Sequence, residues 1–180
     1  MTKFAPKRLD IKAFAEAGAT LEGEQLLRNY PRLFAETGAR GGDSPLEWSA
    51  SGELRNPGHV QPEIWLHLRA GALLPLTCQR CLGPVEVEVE IDRSFRFVSD
   101  EDTAAAEDDE SEEDVLALSR EFDLVTLVED EMLMGLPIAP RHETCPERLP
   151  TAVADEEFES QAAETQNPFA VLGRLKTRKS

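Results

Sequence analysis

One segment of the sequence alternates apolar and acidic residues with a period of two. Its apolar positions are Val85, Val87, Val89 and Ile91, and its acidic positions are Glu86, Glu88, Glu90 and Asp92. Because successive side chains of a β-strand point to opposite faces of the sheet, one face of this strand is apolar and the other is covered with carboxylates. The pattern is typical of an antiparallel sheet with one face on a core and one face in water.

Two earlier segments alternate in the same way and extend the predicted sheet. The first has its apolar positions at Leu46, Trp48, Ala50 and Leu54, and the second at Ile64, Leu66 and Leu68. Asn, Pro and Gly at residues 56–58 predict a turn between them.

Helical spacing occurs on both sides of these strands. Asp10 is a candidate N-cap for a short helix with Ile11 and Phe14 on one face, and residues 24–30 have a helical spacing of apolar residues. A longer apolar stripe predicts a helix over residues 123–136, ended by prolines. The predicted fold class is therefore α+β: an antiparallel β-sheet, short N-terminal helices, and one main helix packed on the apolar face of the sheet.

The charge of the chain is strongly acidic. The 35 acidic and 19 basic residues give a formal net charge of −16. This charge repels phosphate backbones, disfavours direct nucleic-acid binding and favours a basic protein partner. Ten acidic residues lie within residues 100–114, and so dense a run predicts a disordered loop at about residues 99–114. That loop is either a solubilising insertion or an imitation of RNA that attracts a basic protein.

The sequence predicts a folded domain over residues 1–150 and an acidic linker with a short basic helix or tail over residues 151–180. The tail is either a fraying helix or a docking peptide. As a docking peptide, its apolar anchors are Phe169, Leu172 and Leu175, and its basic residues are Arg174, Lys176, Arg178 and Lys179. No apolar run approaches a membrane span and the N-terminus does not resemble a secretion signal, so we expect a cytoplasmic protein without membrane contact.

Three cysteines are present, and their spacing suggests a metal site. Cys78 and Cys81 are separated by two residues on a turn before the alternating strand, whereas Cys145 lies downstream near His142. Three thiols and one imidazole suit a structural Zn²⁺, which would join the turn to the segment after the main helix. The alternative is a set of reduced, packed cysteines. A thioredoxin-like redox motif is disfavoured, because its cysteines begin a helix whereas Cys81 leads into a strand.

Four motifs in order resemble the YceD family, known as the large ribosomal RNA subunit accumulation proteins of bacteria and plastids. They are CQRCL at residues 78–82, DLVTLVEDEMLMGLP at residues 123–137, PRHETC at residues 140–145 and NPFAVL at residues 167–172. The resemblance extends over nearly the whole chain. It implies a role in the synthesis, processing or stability of the 23S ribosomal RNA, and it supplies no established catalytic residues.

We therefore expect a non-enzymatic factor for ribosome biogenesis that binds a ribosomal protein or a large-subunit assembly factor. Two alternatives remain open. The chain could bind ribosomal RNA directly through Arg80 and the basic tail, or it could be an RNA-processing enzyme. The remaining candidate groups favour neither, because the carboxylates at residues 129–131 fit a solvated helix face. His59 and His67 fit single surface or strand-edge residues.

Overall fold

The computed structural model of the chain describes residues 4–60 and 62–146. Within these residues one sheet has the strand order β1-β2-β3-β4-β5. The strands are β1 (Thr20–Leu26), β2 (Pro45–Arg55), β3 (Glu63–Thr77), β4 (Pro84–Val98) and β5 (Asp114–Ala117). The helices are α1 (Ile11–Glu16), α2 (Pro31–Glu36), α3 (Glu101–Asp108) and α4 (Leu124–Met134), and a 3-10 turn at Leu27–Asn29 precedes α2. The predicted α+β class is confirmed.

The alternating segment is strand β4, and its two faces differ as the sequence indicates. Val85 and Val89 are buried, whereas Glu86, Glu88 and Glu90 are exposed. β4 pairs with β3 in a long antiparallel hairpin whose register runs from Ile64 opposite Phe97 to Thr77 opposite Pro84. The edge strand β5 departs from the predicted antiparallel pattern, because it pairs with β4 in parallel.

The core lies between one face of the sheet and the helices. The α4 residues Leu124, Val128 and Met132 are fully buried, and α4 contacts β3, β4 and α2. The helix begins as predicted, because the Asp123 carboxylate accepts hydrogen bonds from the backbone N–H groups of Val125 and Thr126 at 3.0 Å. Asp10 caps α1 in the same way through the N–H of Ala13.

The helix predicted over residues 24–30 is wrong, because residues 24–26 belong to strand β1 and residues 27–29 form the 3-10 turn that follows it. β1 pairs antiparallel with β2, and Gly23 lies opposite Trp48. The indole of Trp48 covers Gly23 so closely that a Cβ there would stand 2.4 Å from the ring. This glycine therefore lets the edge strand approach the core tryptophan, a long-range contact that overrides local helical spacing.

The expectation of a disordered loop over residues 99–114 is also corrected, because this segment forms α3 and the start of β5. Asp100 caps α3 through the N–H of Thr103 at 2.9 Å. Arg96 and Arg93 of β4 then pair with Glu107 at 2.6 Å and Asp114 at 2.7 Å. The neighbouring strand thus supplies the cations that offset part of the repulsion within the acidic run.

The predicted C-terminal tail lies outside the described residues. This applies to the apolar anchors Phe169, Leu172 and Leu175 and to the four basic residues near the C-terminus. A compact unit extends to Cys145, and the boundary at residue 150 stays a prediction. Among the described residues, no helix is long and apolar enough to cross a membrane.

Candidate metal centre

The turn between β3 and β4 presents two cysteines. Cys78 directly follows β3, and Cys81 lies three residues before the start of β4. The turn is closed by hydrogen bonds from the N–H of Leu82 to the carbonyl of Cys78 and from the N–H of Cys78 to the carbonyl of Gly83, both at 2.9 Å. Leu82 adopts a left-handed conformation with φ of 60°, which reverses the chain between the two strands.

The segment after α4 brings the other two candidate ligands to this turn. The backbone N–H of Gln79 donates to the carbonyl of Pro140 at 2.8 Å, so the returning chain lies beside the turn. His142 and Cys145 then face Cys78 and Cys81, and the ligand atoms of all four residues lie within 4.8 Å of one another. The structure therefore assembles the four residues that the sequence predicts as a metal site.

The distances in this cluster fit a tetrahedral ion. The sulfur atoms of Cys78 and Cys145 are 4.0 Å apart, and the sulfur of Cys81 is 3.4 Å from Nδ1 of His142. Thiolates bound to one tetrahedral Zn²⁺ at a bond length of about 2.3 Å are separated by about 3.8 Å. Nε2 of His142 lies 2.9 Å from the carbonyl oxygen of Pro84. A proton on Nε2 donated to that carbonyl leaves the lone pair of Nδ1 directed at the cluster.

The thiols have unequal tendencies to ionise. Burial disfavours the Cys78 thiolate, yet hydrogen bonds from the backbones of Cys81, His142 and Arg80 and from the His142 side chain lower the pKa of Cys78 to about 5. The pKa of Cys145 is raised by burial and by its contacts with the sulfur atoms of Cys81 and Cys78. Ionisation of a further thiol in the cluster therefore needs a cation that compensates the added negative charge. Four protein ligands with this chemistry could hold a metal ion in a closed site.

The second group of predicted site residues is only partly described. Arg80 lies exposed on the cysteine turn. The other members of that group belong to the tail and lie outside the described residues.

The interpretation of residues 129–131 as a solvated face is wrong for Glu129, whose exposed fraction is 6%. Its carboxylate accepts hydrogen bonds from the backbone N–H groups of Arg32 at 2.7 Å and Leu33 at 3.2 Å, and from the Arg32 guanidinium at 3.1 Å. Glu129 therefore caps α2 from a different helix. The signal in the sequence was indirect: α2 begins at Pro31 without a capping side chain before it.

The expectation for His67 is also corrected, because it lies on the central strand β3 with partners on both neighbouring strands. Its Nε2 lies 2.7 Å from a Glu53 carboxylate oxygen and its Nδ1 lies 2.8 Å from the Ser94 hydroxyl. Its ring stacks on Trp65, and the guanidinium of Arg55 covers that indole at 4.0 Å. Sequence reasoning missed this network because cross-strand register is long-range information.

Comparison with known proteins gives one family. The profile of the family described as "Large ribosomal RNA subunit accumulation protein YceD" matches residues 66–176, which include all four candidate metal ligands. A curated protein of that name from Haemophilus influenzae is 31% identical over 106 residues, covering 57% of this chain. The chain spans about 60% of the length of this curated relative. No solved structure matches the chain.

Proposed function

The chain belongs to the YceD family of large ribosomal RNA subunit accumulation proteins, and on that premise we propose that it supports the accumulation of 23S ribosomal RNA. The observation that supports this proposal is the family match over residues 66–176. That stretch contains all but the first three residues of the β3–β4 hairpin, together with α4 and the cysteine–histidine cluster, so the likeness includes the framework of the candidate site.

The proposed mode of action is binding of a large-subunit ribosomal protein or assembly factor, without catalysis. A net charge of −16 favours a basic protein as partner. The Glu53, His67 and Ser94 network has the residue types of a hydrolase triad. A nucleophilic serine also needs nearby N–H donors for the oxyanion, and these residues lie on strands whose N–H groups pair within the sheet. We therefore assign the network to the stability of the sheet.

We further propose that the cluster holds one structural Zn²⁺. Support comes from the three thiols, the orientation of His142 and the count of four protein ligands, which equals the coordination number of a structural zinc site. Elemental analysis of untagged protein should find about one zinc per chain. A Cys145→Ser variant should lose most of it, whereas a Ser111→Ala variant, changed in the loop between α3 and β5, should keep it. Stoichiometric zinc in neither protein would contradict the assignment.

The function itself is tested in cells from which the gene for this chain is deleted. We expect the ratio of 23S to 16S ribosomal RNA to fall and to return when the intact chain is supplied from a plasmid. The empty plasmid is the control. An unchanged ratio in the deleted cells would contradict the proposal. Purified chain incubated with 23S precursor should leave the RNA intact, and cleavage or modification that a Ser94→Ala variant lacks would indicate an enzyme instead.

Direct RNA binding is the second candidate, favoured by the exposed Arg80 on the cysteine turn and by the basic residues near the C-terminus. Binding through these cations should weaken steeply with salt, because counterions are released from the phosphates. A filter assay with a 23S fragment at two salt concentrations, with the intact chain and with a form ending at Gln166, tests this. Salt-dependent binding that the shorter form loses would support the alternative over a protein partner.

A further inference from the structure

The face of the sheet opposite the core is lined by exposed carboxylates on three of its strands. These six residues, here named the acidic face, are Glu22 and Glu24 of β1, Glu47 of β2, and Glu88, Glu90 and Asp92 of β4. They line an open concavity with a volume of about 1020 Å³, whose floor is strand β3. The surface is therefore a trough with acidic sides rather than a flat sheet.

The strand register aligns these carboxylates in rows. Glu24 lies opposite Glu47, Glu47 lies opposite Gly71, and Gly71 lies opposite Glu90. Like charges directly opposite each other on neighbouring strands destabilise a sheet. The Glu24 and Glu47 pair thus costs stability in the folded chain.

The cations within the described part of the chain neutralise little of this charge. Arg69 is the basic residue in the lining, and it donates to Asp92 at 3.0 Å. Within residues 4–60 and 62–146, the other five carboxylates form no ion pair. In the acidic run at residues 100–114, by contrast, Arg93 pairs with Asp114 and Arg96 pairs with Glu107.

The floor of the trough combines open space at a glycine with one exposed apolar side chain. Gly71 has no side chain, so the middle of the row between Glu47 and Glu90 is open. Leu73, the next residue of β3 on this face, has an exposed fraction of 50%. An apolar side chain between rows of carboxylates suits a ligand that combines cations with an apolar residue.

We propose that the acidic face binds a lysine- and arginine-rich protein segment. Its cations pair with the carboxylate rows, and one apolar side chain contacts Leu73. Charge complementarity favours a basic protein segment over RNA, because the same carboxylates repel the phosphates of RNA. The inference rests on the proposed function and deepens it, since it names the chemistry of the partner and the surface that receives it.

The test uses the full chain and a fluorescent synthetic peptide of lysines with interspersed leucines. Anisotropy measures its affinity for the wild type and for the triple variant Glu24→Gln, Glu47→Gln and Glu90→Gln. We expect about tenfold weaker binding by this variant, because three exposed charge pairs are lost. The matched control is the triple variant Glu110→Gln, Glu112→Gln and Glu113→Gln, which changes net charge equally and should weaken binding less than about twofold.

Three results would overturn the proposal. An equal loss of peptide affinity in both triple variants would show that only net charge matters. A larger loss of affinity in the control variant would place the binding site on the acidic run at residues 100–114. If a 23S fragment binds tightly and the basic peptide does not bind, the partner is RNA instead. Thermal unfolding separates misfolding from lost contacts, because relief of the Glu24 and Glu47 repulsion should keep the variant at least as stable as the wild type.

Failure of this inference differs from failure of the proposed function in the gene-deleted cells. If the intact chain restores the 23S to 16S ratio and the Glu24, Glu47 and Glu90 variant restores it equally, the function stands and the acidic face is not needed. If the intact chain changes nothing, the function itself is wrong. We expect the intact chain to restore the ratio and the face variant to restore it only in part.

Discussion

The Glu129 carboxylate replaces the missing N-cap of α2, because Tyr30 at that position forms no side-chain capping bond. Glu129→Ala should lower the free energy of unfolding by about 3 kcal/mol, since buried N–H groups and the Arg32 guanidinium lose a charged acceptor. Asp130→Ala is the matched control. Asp130 pairs with Arg32 at a half-exposed position, so its loss should cost less than about 1 kcal/mol. Denaturant unfolding that gave similar losses for both would contradict the capping role.

The backbone of Leu82 is costly to the fold. Its left-handed φ of 60° disfavours any residue with a Cβ. Burial of the side chain offsets little of this cost, because 74% of its surface is exposed. Glycine relieves the backbone cost, which exceeds the entropy it adds to the unfolded chain. Leu82→Gly should therefore raise the free energy of unfolding by about 0.5–1 kcal/mol in the presence of zinc. Leu82→Ala retains the strain and should give no gain, and a destabilised glycine variant would contradict this account.

At the scale of elements, the cysteine–histidine cluster joins the β3–β4 hairpin to the segment after α4. The hydrogen bond from Gln79 to Pro140 is part of this junction. Removal of metal with a chelator should speed hydrogen exchange at the Gln79 amide and over residues 140–146, because the ligands then no longer hold the two segments together. The amide of Leu68, in the middle of β3, should keep its protection. Unchanged exchange at Gln79 would argue against a metal link.

Helix α3 begins at a carboxylate whose ionisation the fold favours. Hydrogen bonds from Ser99 and Thr103 lower the pKa of Asp100. A group with a lowered pKa in the folded state stabilises above its unfolded pKa, and that contribution is lost as pH falls through the folded value. The Thr103 amide should therefore lose protection in acid, and Asp100→Asn should remove most of this pH dependence. Equal acid sensitivity of the variant would contradict the capping role.

The sequence predicted those elements whose pattern is local. Strand β4 was evident from its alternation, and the start of α4 from Asp123 as its cap. The four candidate ligands were also predictable, because few other residues in the chain suit zinc. Strand β1 was missed because its position depends on Trp48 across the sheet, a contact that local spacing does not encode.

The acidic run was misread for a related reason. Its repulsion is obvious in the sequence, but Arg93 and Arg96 reach it only once β4 is paired with its neighbours. Glu129 likewise finds Arg32 and Leu33 through the packing of α4 on α2. In each case the deciding partner is distant in the chain, so composition alone overstates disorder and exposure.

At the scale of the whole described unit, the sheet separates two surfaces with different chemistry. One face packs on α1 and α4 and forms the core. The opposite face has the carboxylate rows around β3. The candidate metal site lies at the β3–β4 turn, at one end of the sheet. Within the described residues, the acidic face is therefore separate from both the core and the candidate metal ligands.

We propose that the chain acts through a protein partner of the large ribosomal subunit. Affinity purification of the intact chain from cells, with and without ribonuclease treatment, distinguishes this partner from RNA. We predict that one or more basic large-subunit proteins co-purify in near-stoichiometric amount and remain bound after the RNA is digested, because the contact is between proteins. Recovery of 23S ribosomal RNA, with every ribosomal protein lost after digestion, would contradict the account.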